Sequence, residues 1–395
     1  MPVNFLQLRR QIQQMGEQAR DHLQRQRRLL EQALELLRLY AEQNSLLQQR
    51  VSRVVQVSPR LRCAVPGDEA LTLGKTCPPQ HSPLTVIAAD GSQVNPSRHD
   101  PFPVCVINIG AILLPGGHPT PSVPQEFTHT RLFYHDEVLT SQGLLSEGLV
   151  ALRRDLYERQ FLAGLTAAQP TPVVALTDGP LELFPEAHER ESSEFRAAMQ
   201  EYIESLHRLE EQNVVAAGYV DRPLADLVVR LLELVLLAED EFAQAGRRRP
   251  LLGVRDEQLF ASFLSPGTRS AVFSIQSQQA QHFTDSLALH FFYLNSGRPG
   301  HPAMARVEIP AWVAGNAGLL DLLHRALLEQ CAQMGTHPYP YALQRAHEIA
   351  LIGLDEKDRI LEMINLEQLR HGLPAGEVSH KQAGKNLLTT RTRYP

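Results

Sequence analysis

The rhythm of apolar and polar positions changes twice along this chain. From about residue 5 to 57 the apolar side chains step by three and four: Phe5, Leu8, Ile12, Met15 and Ala19, then Leu30, Leu34, Leu37 and Ala41. This is the seam spacing of a coiled-coil helix, with Gln and Arg filling the other faces. Only Gly16 interrupts it. A continuous helix of roughly 50 residues would run about 75 Å at 1.5 Å per residue. The spacing predicts a long N-terminal arm, packed on a second copy or partner, or folded back on its own domain.

From Leu84 the pattern shifts to short apolar runs closed by turn signals. Residues 85–89, 104–114 and 127–138 read as consecutive antiparallel strands. Helical spacing follows over 148–165, then an apolar strand over 172–177 and a helix over 195–212. Strands are expected over 213–220, 270–276, 290–294 and 306–313, and helices over 224–245, 319–334 and 343–365. Strands first, then helix–strand alternation, predict an α/β fold.

Two of these strands end on Asp-Gly: Asp90-Gly91-Ser92 and Asp178-Gly179-Pro180-Leu181. Each pattern predicts a buried strand followed by a tight turn. That geometry puts a carboxylate at the carboxyl end of a strand, where open α/β sheets hold their ligands. Two such carboxylates sharing a divalent metal would suit phosphodiester chemistry; the alternative is that Asp-Gly merely closes two turns. Further along, Pro340 starts a helix that carries His347 about two turns in. Its neighbour Glu348 points some 100° away around the helix. One imidazole near two carboxylates suits Mn²⁺. The helix before the second Asp-Gly offers Glu147, Asp155 and Glu158. Glu158 lies beside the apolar Leu156 and Leu162, nearer the buried side than a solvated charge would.

Composition narrows the class only a little. With 43% hydrophobic and 21% charged residues the chain reads as an ordinary globular protein. A net charge of −6 does not advertise a nucleic-acid partner, although a local patch or a bound metal can supply the attraction. The densest basic run, Arg247-Arg248-Arg249, reads first as a solvated loop. Cys63, Cys77, Cys105 and Cys331 show no C-x-x-C pair and are expected to be free thiols. The most apolar helix pattern is broken by Asp226, Arg230 and Glu233, so no membrane span is expected. The charged N-terminus is no secretory signal, and a cytoplasmic location is expected.

Asp90-Gly91-Ser92, Asp178-Gly179-Pro180-Leu181 and Tyr339-Pro340-Tyr341 with His347 occur in an order and rough spacing that resemble the NurA nuclease family. The resemblance covers residues 84–350. It implies an RNase H-like mixed sheet flanked by helices, and Mn²⁺-dependent cleavage of DNA, with Mg²⁺ as a substitute. It also implies a homodimer docked on a hexameric HerA-type ATPase in DNA-end processing. Asp90 and Asp178 match the family's metal-binding aspartates, Glu158 (or else Glu147) its helix glutamate, and Tyr339 and His347 its tyrosine and histidine. Pro180 stands where the family usually has a serine. The domain boundaries that follow are an arm over 1–57, the nuclease domain over 58–370 and a polar tail over 371–395.

Two rival readings stand beside this one. A haloacid-dehalogenase-type phosphatase needs Asp-x-Asp, and Ala88 two residues before Asp90 removes it. A non-catalytic subunit of an ATPase complex, with a degenerate site, is the other.

Overall fold

The computed structural model describes residues 3–372, apart from 79–82, 99–101, 117–122, 141–142, 168, 171, 186–188 and 191. The chain opens with helix α1 (Phe5–Leu39), started by the Asn4 side chain, which accepts the Gln7 N–H at 3.1 Å. Helix α2 (Asn44–Val57) follows a break at residues 40–43, so the long arm is two helices. The break is held by tertiary contacts that the heptad pattern does not show. Leu71 N–H donates to Ala41 O at 2.9 Å, and Asn44 Nδ2 donates to Gly67 O at 2.8 Å.

Strand β1 (Cys63–Pro66) comes next, then β2 (Thr85–Val94), β3 (Val104–Leu114) and β4 (Gln125–Tyr134). Helix α3 (Glu147–Thr166) leads to β5 (Val173–Asp178), and α4 (Ser193–Glu211) to β6 (Val215–Asp221). The Ser146 and Ser192 hydroxyls cap α3 and α4, accepting the N–H groups three residues on. Among the elements that follow are α5 (Leu227–Val235), β7 (Phe273–Gln276), β8 (Leu289–Asn295), β9 (Met304–Pro310), α6 (Ala317–Gln333), α7 (Tyr341–Ala350) and α8 (Leu354–Arg370). The expected helix over 343–365 is thus interrupted at 351–353, and Trp312 and Val313 leave the expected last strand for a short helical turn. Residues 373–395 of the expected tail lie outside the described residues.

The chain divides into two compact units. One comprises residues 1–81, 179–182 and 217–340. Its strands run β1-β7-β8-β9-β6 in space, every neighbouring pair antiparallel. Aromatic rings fill its interior, with Phe260 stacked on Tyr293 at 4.5 Å and Phe273 on Phe291 at 5.5 Å. The arm splits in character within this unit. Ala33 and Leu37 are buried, while Phe5, Leu8, Ile12 and Met15 of the predicted seam are exposed.

The second unit comprises residues 82–178, 183–216 and 341–395. Here β2, β3 and β4 form an antiparallel meander, and β5 returns after α3 to pair parallel with β2. Three antiparallel strands followed by a helical crossover to a strand parallel with the first is the RNase H-like arrangement. Val86–Ala89 and the core of β5 are apolar without alternation because both faces are covered. Helix α3 packs on β2 and on α4, and α7 packs on β2 and β3. No helix among the described residues is long and apolar enough to cross a membrane. All four cysteines are free.

Candidate active site

Asp90 marks the point on β2 where full burial stops. It does not end its strand. β2 runs on to Val94, with Asp90 opposite Gly110 and Gly91 opposite Ile109 on β3. The expected turn is absent because β3 continues to pair with Gly91, Ser92 and Gln93. What does end here is the parallel partner: the last β2–β5 pair is Ala89 with Thr177, and β5 stops at Asp178. Asp90 and Asp178 take the next position on each strand. The two-residue period of parallel strands puts both side chains on the same face. The second Asp-Gly does turn, with Gly179 at φ +82°.

His347 meets this face from α7. Its Nδ1 lies 2.7 Å from Asp90 Oδ2, and Asp90 Oδ1 accepts the Gly91 N–H at 2.8 Å. The Asp90 side chain is 14% exposed and the imidazole 57%. The approach of α7 depends on Gly110. A Cβ there would sit 2.3 Å from Ala350 N and 2.8 Å from Ala346 O, so only a residue without a side chain lets the helix backbone in. The carboxyl end of α7 is then tied down. Ser92 Oγ and Asn108 Nδ2 both donate to Ala350 O, the latter at 2.8 Å, and Ile352 N–H donates to Ser92 Oγ at 3.2 Å. Asp90 and Ser92, two residues apart on one strand face, thus grip one helix at His347 and Ala350. Glu348 is turned to Gln344 and Arg345 instead.

Glu158 reaches β2 from the opposite face, on α3. It is 3% exposed, and the missing side chain of Gly91 makes its room: a Cβ there would lie 2.8 Å from Glu158 Oε1 and 2.6 Å from Arg154 Cγ. Arg159 Nη1 donates to Glu158 Oε2 at 3.0 Å, and Arg154 Nε lies 3.4 Å from Oε1. Burial, and then the negative charges of Asp155 and Asp90, push the Glu158 carboxyl up to about 8, against the pull of Arg159 and Arg154. Glu147, the alternative glutamate, is exposed in the first turn of α3. Tyr339 belongs to the other unit, where its ring meets that of Tyr219 edge-on at 5.6 Å.

The raised carboxyl sets a pH dependence. Glu158 titrates from an ordinary 4.5 when unfolded and from about 8 when folded. The fold therefore holds a proton that the unfolded chain releases between those values. Its stabilisation is full below the unfolded value and is lost as pH climbs through the folded one. Thermal unfolding without divalent ions should shift to lower temperature from about pH 5 to about pH 8.5. Glu158→Gln, neutral throughout, should flatten that slope. An identical slope in the variant would mean that the two arginines keep the carboxylate ionised.

Asp90, His347 and Asp178 thus belong to one face of β2 and β5, and Glu158 comes from the other side at Gly91. Among the described residues no three His, Cys, Asp or Glu side chains already form a metal cage. The donor chemistry still suits a hard divalent cation, being carboxylate oxygens with one imidazole nitrogen. Sequence reasoning missed Arg154 and Arg159. Their only signal is that Arg154 stands four residues before Glu158 on one helix face.

Sheet order, crossover helix and strand carboxylates together define a protein of the RNase H-like class. The NurA domain pattern matches residues 84–352, and the chain belongs to the NurA family. No curated protein matches it significantly. Among solved structures it is similar to Drosophila Piwi, at 12% identity and a TM-score of 0.29 over 68% of this chain. That match spans only 29% of the Piwi chain. LC9-RNase H1, a type 1 RNase H with the type 2 active-site motif, matches at 14% identity and a TM-score of 0.22. It covers 44% of this chain and 77% of that one.

Proposed function

We propose that this chain is a Mn²⁺- or Mg²⁺-dependent deoxyribonuclease that hydrolyses phosphodiester bonds during DNA-end processing. The observation that carries this reading is the pairing of Asp90 with His347 beside Asp178, within the stretch that matches the NurA domain. Asp90, Asp178, Glu158 and His347 would hold the metal, which supplies a more acidic water and charge to offset that of the phosphate. The residues have separate tasks. With Nδ1 as donor, Asp90 fixes the imidazole tautomer and leaves Nε2 to face outward as an acceptor for a water proton or as a metal ligand. Glu158 would join this set past the missing side chain of Gly91 once it gives up its proton and its arginine partners. Tyr339 would contact a phosphate or stack on an end base. The purified chain should degrade end-labelled DNA with Mn²⁺ and be silent in EDTA. Equal activity in EDTA would remove the metal mechanism.

The second reading, a non-catalytic subunit of an ATPase complex, draws support from the absence of a preformed cage among the described residues and from the arginines already on Glu158. Silence under both conditions would favour it.

A homodimer docked on a hexameric HerA-type ATPase completes the proposal. Its support is the exposed stripe of α1. Gln26 touches the body of the arm's own unit at Gly253, so residues 1–24 can be removed without opening that contact. Their deletion should lower the mass seen by light scattering or weaken docking on the ATPase, with Mn²⁺ binding kept. Unchanged mass and docking would move the interface away from the arm.

A further inference from the structure

We propose that Arg154 grips a phosphate of the substrate strand; this rests on the nuclease reading above. α3 presents Arg154 and Glu158 one turn apart toward β2, and the Arg154 stem is seated at Gly91, the residue after Asp90. One edge of its guanidinium is fixed. Nε and Nη2 donate to Asp155 Oδ1 at 3.3 and 2.8 Å, and Nε lies 3.4 Å from Glu158 Oε1. The other edge is open. Nη1 has no hydrogen-bond partner among the described residues, and the side chain is 31% exposed. A guanidinium aligned by carboxylates along one edge and open at the other is a preorganised donor for an anion with paired oxygens.

Neighbouring cations are differently employed. Arg153 Nη1 donates to Glu137 O, and Arg131 bonds Tyr157 and Glu137. Arg159 is buried against Glu158 and the Tyr202 ring. Arg154 is the one that combines an open edge with a stem seated at Gly91, the residue after Asp90, within reach of the Asp90 charge. The ligand that fits is the non-bridging oxygen pair of a phosphodiester. Asp155, on this account, is a positioning residue that holds the guanidinium for it.

The test uses the full chain and a fluorescein-labelled single-stranded oligonucleotide in EDTA, where nothing is cleaved. Anisotropy is followed from about 50 to about 200 mM salt. Arg154→Gln should weaken binding roughly tenfold at the lowest salt. It should also reduce the slope of log affinity on log salt by about 0.7, the value of one lost phosphate contact on a single strand. Arg154→Lys should recover the slope but only part of the affinity, because an ammonium restores the charge and not the fork. This variant also guards against a Gln protein that fails to fold. A wild-type chain that cleaves DNA with Mn²⁺, while Arg154→Gln keeps its affinity and slope, overturns the inference alone. Arg154 would then be a counter-ion for Asp155 and Glu158. A wild type that neither binds nor cleaves DNA removes the nuclease reading and the inference with it.

Discussion

Alanine at Asp90, or at Asp178, should cut DNA cleavage by at least about a hundredfold, the upper end of what losing even an outer partner of a metal ligand costs. The thermal transition should stay near that of the wild type. The two halves of this expectation have separate physical grounds. Asp90 hydrogen-bonds the Gly91 N–H and the His347 ring, neither of which holds β2 to its neighbouring strands. The β2–β3 ladder runs through backbone groups and survives the loss of the carboxylate. Asp178 is exposed at the last position of β5, where truncation opens no cavity. Activity should fall because each substitution takes a charge from the one face where strand carboxylates and imidazole meet. Asp90→Ala carries a second signature. Asp90 is one of the charges that raise the Glu158 carboxyl, so the pH dependence of stability should shift to lower pH in this variant. A variant that retains a tenth of wild-type cleavage would place the chemistry elsewhere.

Gly110→Ala should cost both stability and activity, although Gly110 touches no reacting group. The added methyl would sit against the backbone at Ala350 N, Ile349 C and Ala346 O, none of which can rotate away. Overpacking of this kind costs about 1–3 kcal/mol, and in a chain of this size each kcal/mol lowers the midpoint by roughly 1 °C. To relieve the clash α7 must lift from the sheet, carrying His347 from Asp90. A displacement of about 1 Å at a reacting group can cost on the order of a hundredfold in rate. Gly164→Ala is the matching control. It lies exposed on α3 with nothing within 4 Å of an added Cβ, so it should be neutral or stabilising by up to about 1 kcal/mol. If Gly110→Ala melts and cleaves like Gly164→Ala, α7 is not seated as described.

Much of the core was legible because its residues state their environment locally. The run 104–114 is apolar without alternation and forms a strand over those same residues, since both of its faces are covered. Helix α3 fell within a residue or so of its expected bounds because a serine cap and apolar repeats mark it. Asp90 and Asp178 stood out because each terminates an apolar run. The expected turn after Asp90 failed for a reason no local pattern carries. Asp-Gly favours turns, but here the glycine serves a tertiary contact, giving Glu158 and Arg154 access to the strand. Glu158 and Glu147 differ in sequence only in their apolar neighbours, and the structure buries the first and exposes the second. The break at residues 40–43 and the division at 351–353 were illegible for a similar cause. Both are fixed by hydrogen bonds from residues far along the chain, Leu71 in one case and Ser92 in the other. Arg154 reads in sequence as one more charge on a helix.

The side-to-side alternation of Asp90, Gly91 and Ser92 constrains the length of the chain as strictly as its composition. Asp90 and Ser92 face α7 while Gly91 faces α3. Inserting or deleting a single residue between Thr85 and Asp90 would exchange these faces at a stroke. The carboxylate would turn into the packed flank of α3, and the hydroxyl would leave the end of α7 uncapped. Two added residues would restore the facing but carry the carboxylate past the end of β5. The segment ahead of Asp90 should therefore accept apolar substitutions while refusing any change in residue number, unlike the surface loops elsewhere in the chain.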